Sequence, residues 1–80
     1  MREVNVGIVG LGNVGSGTLA ILAGNAEQIA LKLGFRLKVA AVCCRSIATK
    51  KIPESLGPVM RTADWREVVT HPDVDIVAEL

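Results

Sequence analysis

Residues 7–15 read GIVGLGNVG and follow the β-rich run EVNV. Few folds place three regularly spaced glycines between an apolar strand and an apolar helical stretch. EVNVGIV (3–9) has the short, largely apolar pattern of a strand in a parallel sheet covered on both faces. Gly10, Gly12 and Gly15 then fit G-x-G-x-x-G in the strand-to-helix context that this motif requires. Gly10 permits a tight turn, Gly12 lets backbone approach a pyrophosphate, and Gly15 lets the helix pack closely. The amides around Gly12, Asn13 and Val14 would point unpaired from the helix N-terminus, where the dipole favours an anion. Gly10, Leu11, Gly12, Asn13, Val14 and Gly15 are therefore the candidate phosphate-binding loop. Gly7 and Gly17 offer further small surfaces for close packing.

The rest of the chain continues the alternation. A helical stretch runs from about residue 13 to 33, with Val14, Thr18, Ile21, Leu22, Ile29 and Leu33 at helical spacing. Gly24-Asn25 interrupts it, Asn25 and Gln28 resemble a capping box, and Gly34 closes it. RLKVAAVCC (36–44) reads as a second buried strand. Residues 46–58 carry Pro53, Gly57 and Pro58 and read as loop, with one helical turn around 54–56. Residues 59–61 suit a short strand, and DWRE places Asp64 and Glu67 as reciprocal caps of a short helix. HPDVD is a turn, and VDIVAEL is another buried strand. The expected fold is α/β, a Rossmann-type parallel sheet with flanking helices and right-handed crossovers. Residues 1–80 read as the front part of such a domain, because ligands sit beyond the carboxyl ends of the strands and the sequence stops on one. No separate substrate or dimerisation domain is present in the 80 residues.

Net charge is +1, which points to neither nucleic acid nor a membrane surface as partner. No apolar run approaches the roughly 20 residues of a membrane span, and MREVNVGIVG lacks the form of a signal peptide. A cytoplasmic location is the expectation. Cys43 and Cys44 match no zinc spacing and, being adjacent, are poorly placed to bridge, so they read as reduced, strand-buried thiols. No metal site is expected.

The charge is unevenly placed. No acidic residue lies between Glu27 and Glu54, whereas Lys32, Arg36, Lys38, Arg45, Lys50 and Lys51 all do. A site for NAD places Asp or Glu roughly 20 residues beyond the motif to accept the ribose 2′-hydroxyl. Here the second strand ends in CCRS. A 2′-phosphate would meet the Arg45 guanidinium, the Ser46 hydroxyl and the Lys50 and Lys51 ammonium groups. The residues favour NADP, with NAD possible. Competing readings are a bare strand–helix turn, a mononucleotide or phosphorylated-sugar site, and, for Arg45 and the lysine pair, solvated loop charges.

His71 sits in a turn away from the expected cleft, and Asp73 and Asp75 serve that turn. Trp65 is expected to pack its helix on the sheet or the basic loop. Glu79 lies near the carboxyl end of the last strand, where a nicotinamide, a cap or an ion pair are all open readings. No nucleophile–base–orienter set can be assembled, so no catalytic residue is assigned.

VNVGIVGLGNVGSGTLAIL, LKVAAVCCRS and DWREVVTHPDVDIVAEL together resemble the N-terminus of bacterial homoserine dehydrogenase over nearly all 80 residues. The resemblance implies an oxidoreductase that interconverts aspartate 4-semialdehyde and homoserine with a nicotinamide cofactor, on the route to threonine, methionine and isoleucine. It also implies a homodimer whose substrate-binding carboxylates and catalytic lysine lie in sequence absent from these residues, which alone would be inactive. The Gly10–Gly15 loop and Arg45, as the adenosine-phosphate contact, match the family; the missing acid after Arg45 departs from its commoner pattern. Another two-domain oxidoreductase and a non-catalytic nucleotide-binding module are the alternatives.

Overall fold

The structure is a computed structural model describing residues 1–80. Strand β1 (Glu3–Val9) is followed by helices α1 (Asn13–Gly24) and α2 (Ala26–Leu33) and strand β2 (Arg36–Cys43). Single 3-10 turns at Ile47–Thr49 and Glu54–Leu56 lead to β3 (Met60–Thr62), α3 (Trp65–Val69) and β4 (Ile76–Glu79). All strand pairs are parallel, in the order β3-β2-β1-β4. The chain winds one way from β1 to β3, then crosses back to place β4 on the other side of β1. This is the Rossmann-type arrangement, with its switch point beside β1.

The sheet buries residues on both faces. Val6, Ile8, Leu11, Leu19, Val39, Val42 and Ile52 form one cluster. Ala41, Cys43 and Val68 form the other, with Val9, Met60 and Val74 against it. Of the six largest fully buried side chains, only Val68 is outside the first cluster; burial of each is worth about 1.5–3 kcal/mol. The α1 face therefore carries most of the apolar stabilisation. An irregularity in β2 decides which side chains reach it. Val6 pairs with Val39 but Gly7 pairs with Ala41, leaving Ala40 as an extra residue. The strand alternation is reset there, so Val39 and Val42 share a face and Ala41 and Cys43 take the other.

The register of α1 differs from that expected of its apolar spacing. Gly15 and Leu19 are buried and Leu22 packs partly, whereas Val14 is 69% and Ile21 58% exposed. The helix is rotated so that Gly15 faces inward, because a Cβ there would collide with the Gly10 carbonyl oxygen. Leu19 and Leu22 follow at i+4 and i+7 from it.

Two caps depart from expectation and one meets it. Asn25 makes no N-cap hydrogen bond; its side-chain amide donates back to Ile21 O at 3.2 Å. Its own amide and carbonyl already bond to Ile21 and Ile29, so α1 runs almost into α2 without needing a box. Gly34 does close α2, in the left-handed conformation at φ 82°. At α3 the box is half-formed. Asp64 Oδ1 accepts from the Arg66 amide at 3.0 Å, but the Asp64 amide donates to Thr62 Oγ1, not to Glu67.

Strand β3 begins one residue later than expected, and the loop before it contains two 3-10 turns where one was expected. Within residues 1–80 β4 is the outermost strand on its side of the sheet, and Ile76 is 51% and Val77 39% exposed there. Its entry is held by Asp75, whose Oδ2 accepts from the Asn5 amide and whose own amide donates to Asn5 O, both at 2.8 Å. Trp65 is 56% exposed and lines an open cavity of about 390 Å³ with Val9, Val69, Val77 and Glu79, rather than being covered by the sheet or the basic loop. Gly17, expected to serve close packing, has nothing within 4 Å of its Cβ direction.

Gly7 and Gly17 predict opposite responses. A Cβ on Gly7 would lie 2.5 Å from Cγ1 of Val68, which is fully buried and has no room to swing away. Gly7→Ala should destabilise by about 1–3 kcal/mol, whereas Gly17→Ala, in open space within α1, should stabilise by about 0.5–1 kcal/mol. Urea midpoints read both.

Two carboxylates link surface pairs to pH. Hydrogen bonds from Arg36 (2.6 and 3.2 Å) and then its charge hold Glu27 below the ordinary carboxylate range. Hydrogen bonds from the Arg66 side chain and backbone lower Asp64 likewise. A lowered folded pKa gives stability that is complete above the unfolded value and lost as pH falls through the folded one. The melting midpoint should therefore drop below about pH 4, and drop less in a Glu27→Gln/Asp64→Asn double variant. Equal pH profiles would contradict this account.

Candidate functional site

The glycine loop is built into the carboxyl edge of the sheet. The Gly10 amide donates to Cys43 O at 2.7 Å, and the Leu80 amide donates to Val9 O at 2.9 Å. The loop is thereby gripped between the ends of β2 and β4. Gly10 has φ 103°, and a Cβ on it would lie 2.5 Å from Leu80 O. Both conformation and space require glycine there. Gly15 lies under the Gly10 carbonyl, so the two outer glycines close on each other. This refines the expected role of Gly15: its close approach is to the loop itself. Ser16 Oγ donates to Leu11 O at 3.2 Å and adds a second tie.

Gly12 is different. Nothing lies within 4 Å of its Cβ direction, and it is exposed. The first α1 amide with a helical acceptor is that of Ser16, bonded to Gly12 O at 2.9 Å. The amides of Asn13, Val14 and Gly15 thus have no acceptor within the helix. Gly12, as N-cap, supplies no side-chain oxygen, and no acidic residue lies in the first turn. The positive end of the α1 dipole is left uncompensated. An open approach at Gly12, free amides and no competing carboxylate fit an anionic diphosphate. Leu11 is the exception among the loop residues. Its side chain is 2% exposed and sits in the core, so only its backbone faces the edge.

Arg45 follows the same edge. Because Cys43 O accepts from Gly10, Arg45 lies two residues beyond a direct tie to the glycine loop. It is exposed and forms no ion pair. Asp64 carries the carboxylate of the neighbouring β3–α3 turn and is engaged by Arg66 at 3.1 and 3.2 Å. Ser46 caps the Ile47–Thr49 turn, and Lys50 ends it with its amide bonded to Ile47 O at 3.2 Å. Lys50 is half-buried and Lys51 exposed. Ile52, between the lysine pair and Pro53, is buried; nothing in the sequence sets it apart from Ile47 and Leu56, the other large apolar residues of the same loop.

The two thiols are not alike. Cys43 is buried in the α3-side cluster, and burial pushes its pKa up, with smaller contributions from Cys44, Asp64 and Glu67. Cys44 lies just after the strand, is half-buried and packs against the opposite cluster. Both are free, and they face opposite sides of the sheet. His71 is remote from the edge, and its Nδ1 accepts from the Asp73 amide at 3.1 Å. Glu79 joins no ion pair and borders the Trp65 cavity. No three His, Cys, Asp or Glu side chains gather in a metal-binding group, and no helix is long and apolar enough to cross a membrane.

A family model described as the NAD binding domain of homoserine dehydrogenase matches residues 10–80. The chain belongs to the homoserine dehydrogenase family. It is 41% identical to the homoserine dehydrogenase of Pseudomonas aeruginosa and 38% identical to that of Neisseria gonorrhoeae, each over 80 residues. Those alignments cover 100% of this chain and 18% of each relative. The crystal structure of a homoserine dehydrogenase from Thiobacillus denitrificans superposes with a TM-score of 0.79 at 37% identity, over 98% of this chain and 18% of that one. A homoserine dehydrogenase from S. aureus gives 0.80 at 30% identity, over 99% and 19%. The chain thus spans about a fifth of the length of these relatives. The ligand class of this homoserine dehydrogenase domain is a nicotinamide dinucleotide.

The glycines predict a separation of stability from binding. Gly15→Ala should lower the urea midpoint, because its Cβ meets the Gly10 carbonyl. Gly12→Ala should keep the midpoint and instead weaken nucleotide binding, measured by cofactor fluorescence. Weakened folding in Gly12→Ala with unchanged binding would contradict the assigned roles.

Proposed function

We propose that residues 1–80 hold NADP for a homoserine dehydrogenase, with the Gly10–Gly15 loop seating the pyrophosphate and Arg45, Ser46 and Lys50 receiving the adenosine 2′-phosphate. The observation that carries this reading is the Gly10–Cys43 hydrogen bond. It puts the free helix amides and the unpaired Arg45 guanidinium on one edge. The absence of any acidic residue from 28 to 53 supports phosphate over a bare 2′-hydroxyl.

The activity in this reading is the interconversion of aspartate 4-semialdehyde and homoserine. The family relationship and the resemblance of the three quoted segments support it. A bound nicotinamide supplies or accepts the hydride. The residues present bind and orient: α1 amides take diphosphate charge, and Arg45 takes the 2′-phosphate. No acid–base or nucleophilic set is among them, so the 80 residues alone are expected to be inactive. The same reading includes a cytoplasmic homodimer serving threonine, methionine and isoleucine synthesis.

The test is titration of NADPH and NADH against the protein and Arg45→Ala. Loss of a charge-assisted contact should raise the NADPH Kd by about 10- to 100-fold and leave that of NADH nearly unchanged. Equal weakening of both would sink the 2′-phosphate assignment.

A further inference from the structure

The segment CRSIATKKI (44–52) alternates two kinds of residue. Cys44, Ile47 and Ile52 pack into or against the α1-side core, and Ile52 is 8% exposed. Arg45, Ser46, Lys50 and Lys51 lie between these points, and three of the four are exposed. The loop is therefore pinned at both ends and in the middle. The pins enclose a hydrogen-bonded 3-10 turn, in which the Thr49 amide and hydroxyl donate to Ser46 O at 3.0 and 2.9 Å. Ile52 belongs to the same apolar cluster as Leu11, the second residue of the glycine loop.

We propose that Ile52 is a positioning residue for cofactor choice, anchoring the Arg45–Lys51 turn to the core that also seats the glycine loop. This rests on the 2′-phosphate reading of Arg45 and Lys50 and adds what holds that pair in place. A lysine side chain loses considerable rotamer freedom when it binds. Ordering the backbone beneath it carries a separate entropic cost, which the Ile47–Thr49 turn and the buried Ile52 meet before ligand arrives. Without the Ile52 anchor, Lys50 and Lys51 would ride on a loose segment ending at Pro53. The pyrophosphate seat does not need this turn: its ties are to Cys43 O, within the Gly10–Gly15 contact, and at Leu11 O through Ser16. Ile52 thus holds the adenosine end directly and meets the pyrophosphate seat only through the core it shares with Leu11.

The test compares Ile52→Ala, Ile52→Val and Ile47→Ala with Arg45→Ala and the unmodified protein, by NADPH and NADH titration at two salt concentrations, alongside melting curves. Ile47→Ala loosens the same turn at a half-buried position and decides the matter if Ile52→Ala does not fold. The expected result is a rise in NADPH Kd of about five- to tenfold in both alanine variants, NADH within about twofold, a flatter salt dependence for NADPH, and recovery in Ile52→Val. An equal loss for both cofactors, or an unchanged NADPH/NADH ratio, overturns the proposal while Arg45→Ala still shifts that ratio. An unshifted ratio in Arg45→Ala overturns the 2′-phosphate reading itself.

Discussion

The contact on which the rest depends is Gly15 under the carbonyl of Gly10. It leaves no room for a side chain, so α1 starts almost against the end of β1. Three consequences follow from that one approach. The helix is rotated to bring Leu19 and Leu22 onto the core. Its first amides emerge at the strand ends rather than over a sheet face. Gly10 is held in a left-handed turn between Cys43 and Leu80, where the sheet changes its direction of winding. The packing of α1 and the exposure of its first amides are therefore set by the same few atoms.

The parts legible in sequence are those with a short-range physical cause. The glycine spacing specified the strand–loop–helix unit, Gly34 specified the end of α2, and the 36–44 apolar run located β2. What escaped depends on neighbours distant in sequence. The spacing of Val14, Thr18 and Ile21 suggested one helix face, but the Gly10–Gly15 contact chose another. Asn25 has the composition of a cap, yet its backbone was already satisfied. For the candidate site, the turn at Gly10, the close approach at Gly15 and the lack of acids around Arg45 were readable, because glycine and charge carry their own meaning. The burial of Leu11 and Ile52 was not, since an apolar residue in a loop does not announce which core it enters.

Charge is organised by what is engaged as much as by what is present. Glu27 and Asp64 are both occupied by arginines of their own neighbourhood. Arg45 has no such partner on the carboxyl edge. The net charge of +1 therefore says little about this edge, where an unpaired arginine and the α1 N-terminus stand together.

The extra residue at Ala40 has a consequence for how this sequence can vary. It turns the last part of β2 over, so that Cys43 looks toward α3 and Cys44 toward the glycine-loop side. Deleting Ala40 would remove the irregularity and leave Val39, Ala41, Val42 and Cys43 on the faces they already occupy, with the pairing of Gly7 and Ala41 intact. Loss of a residue that has a partner on β1 would instead shift every later side chain to the other face. The strand can therefore shed its one unpaired residue more readily than any of its paired ones.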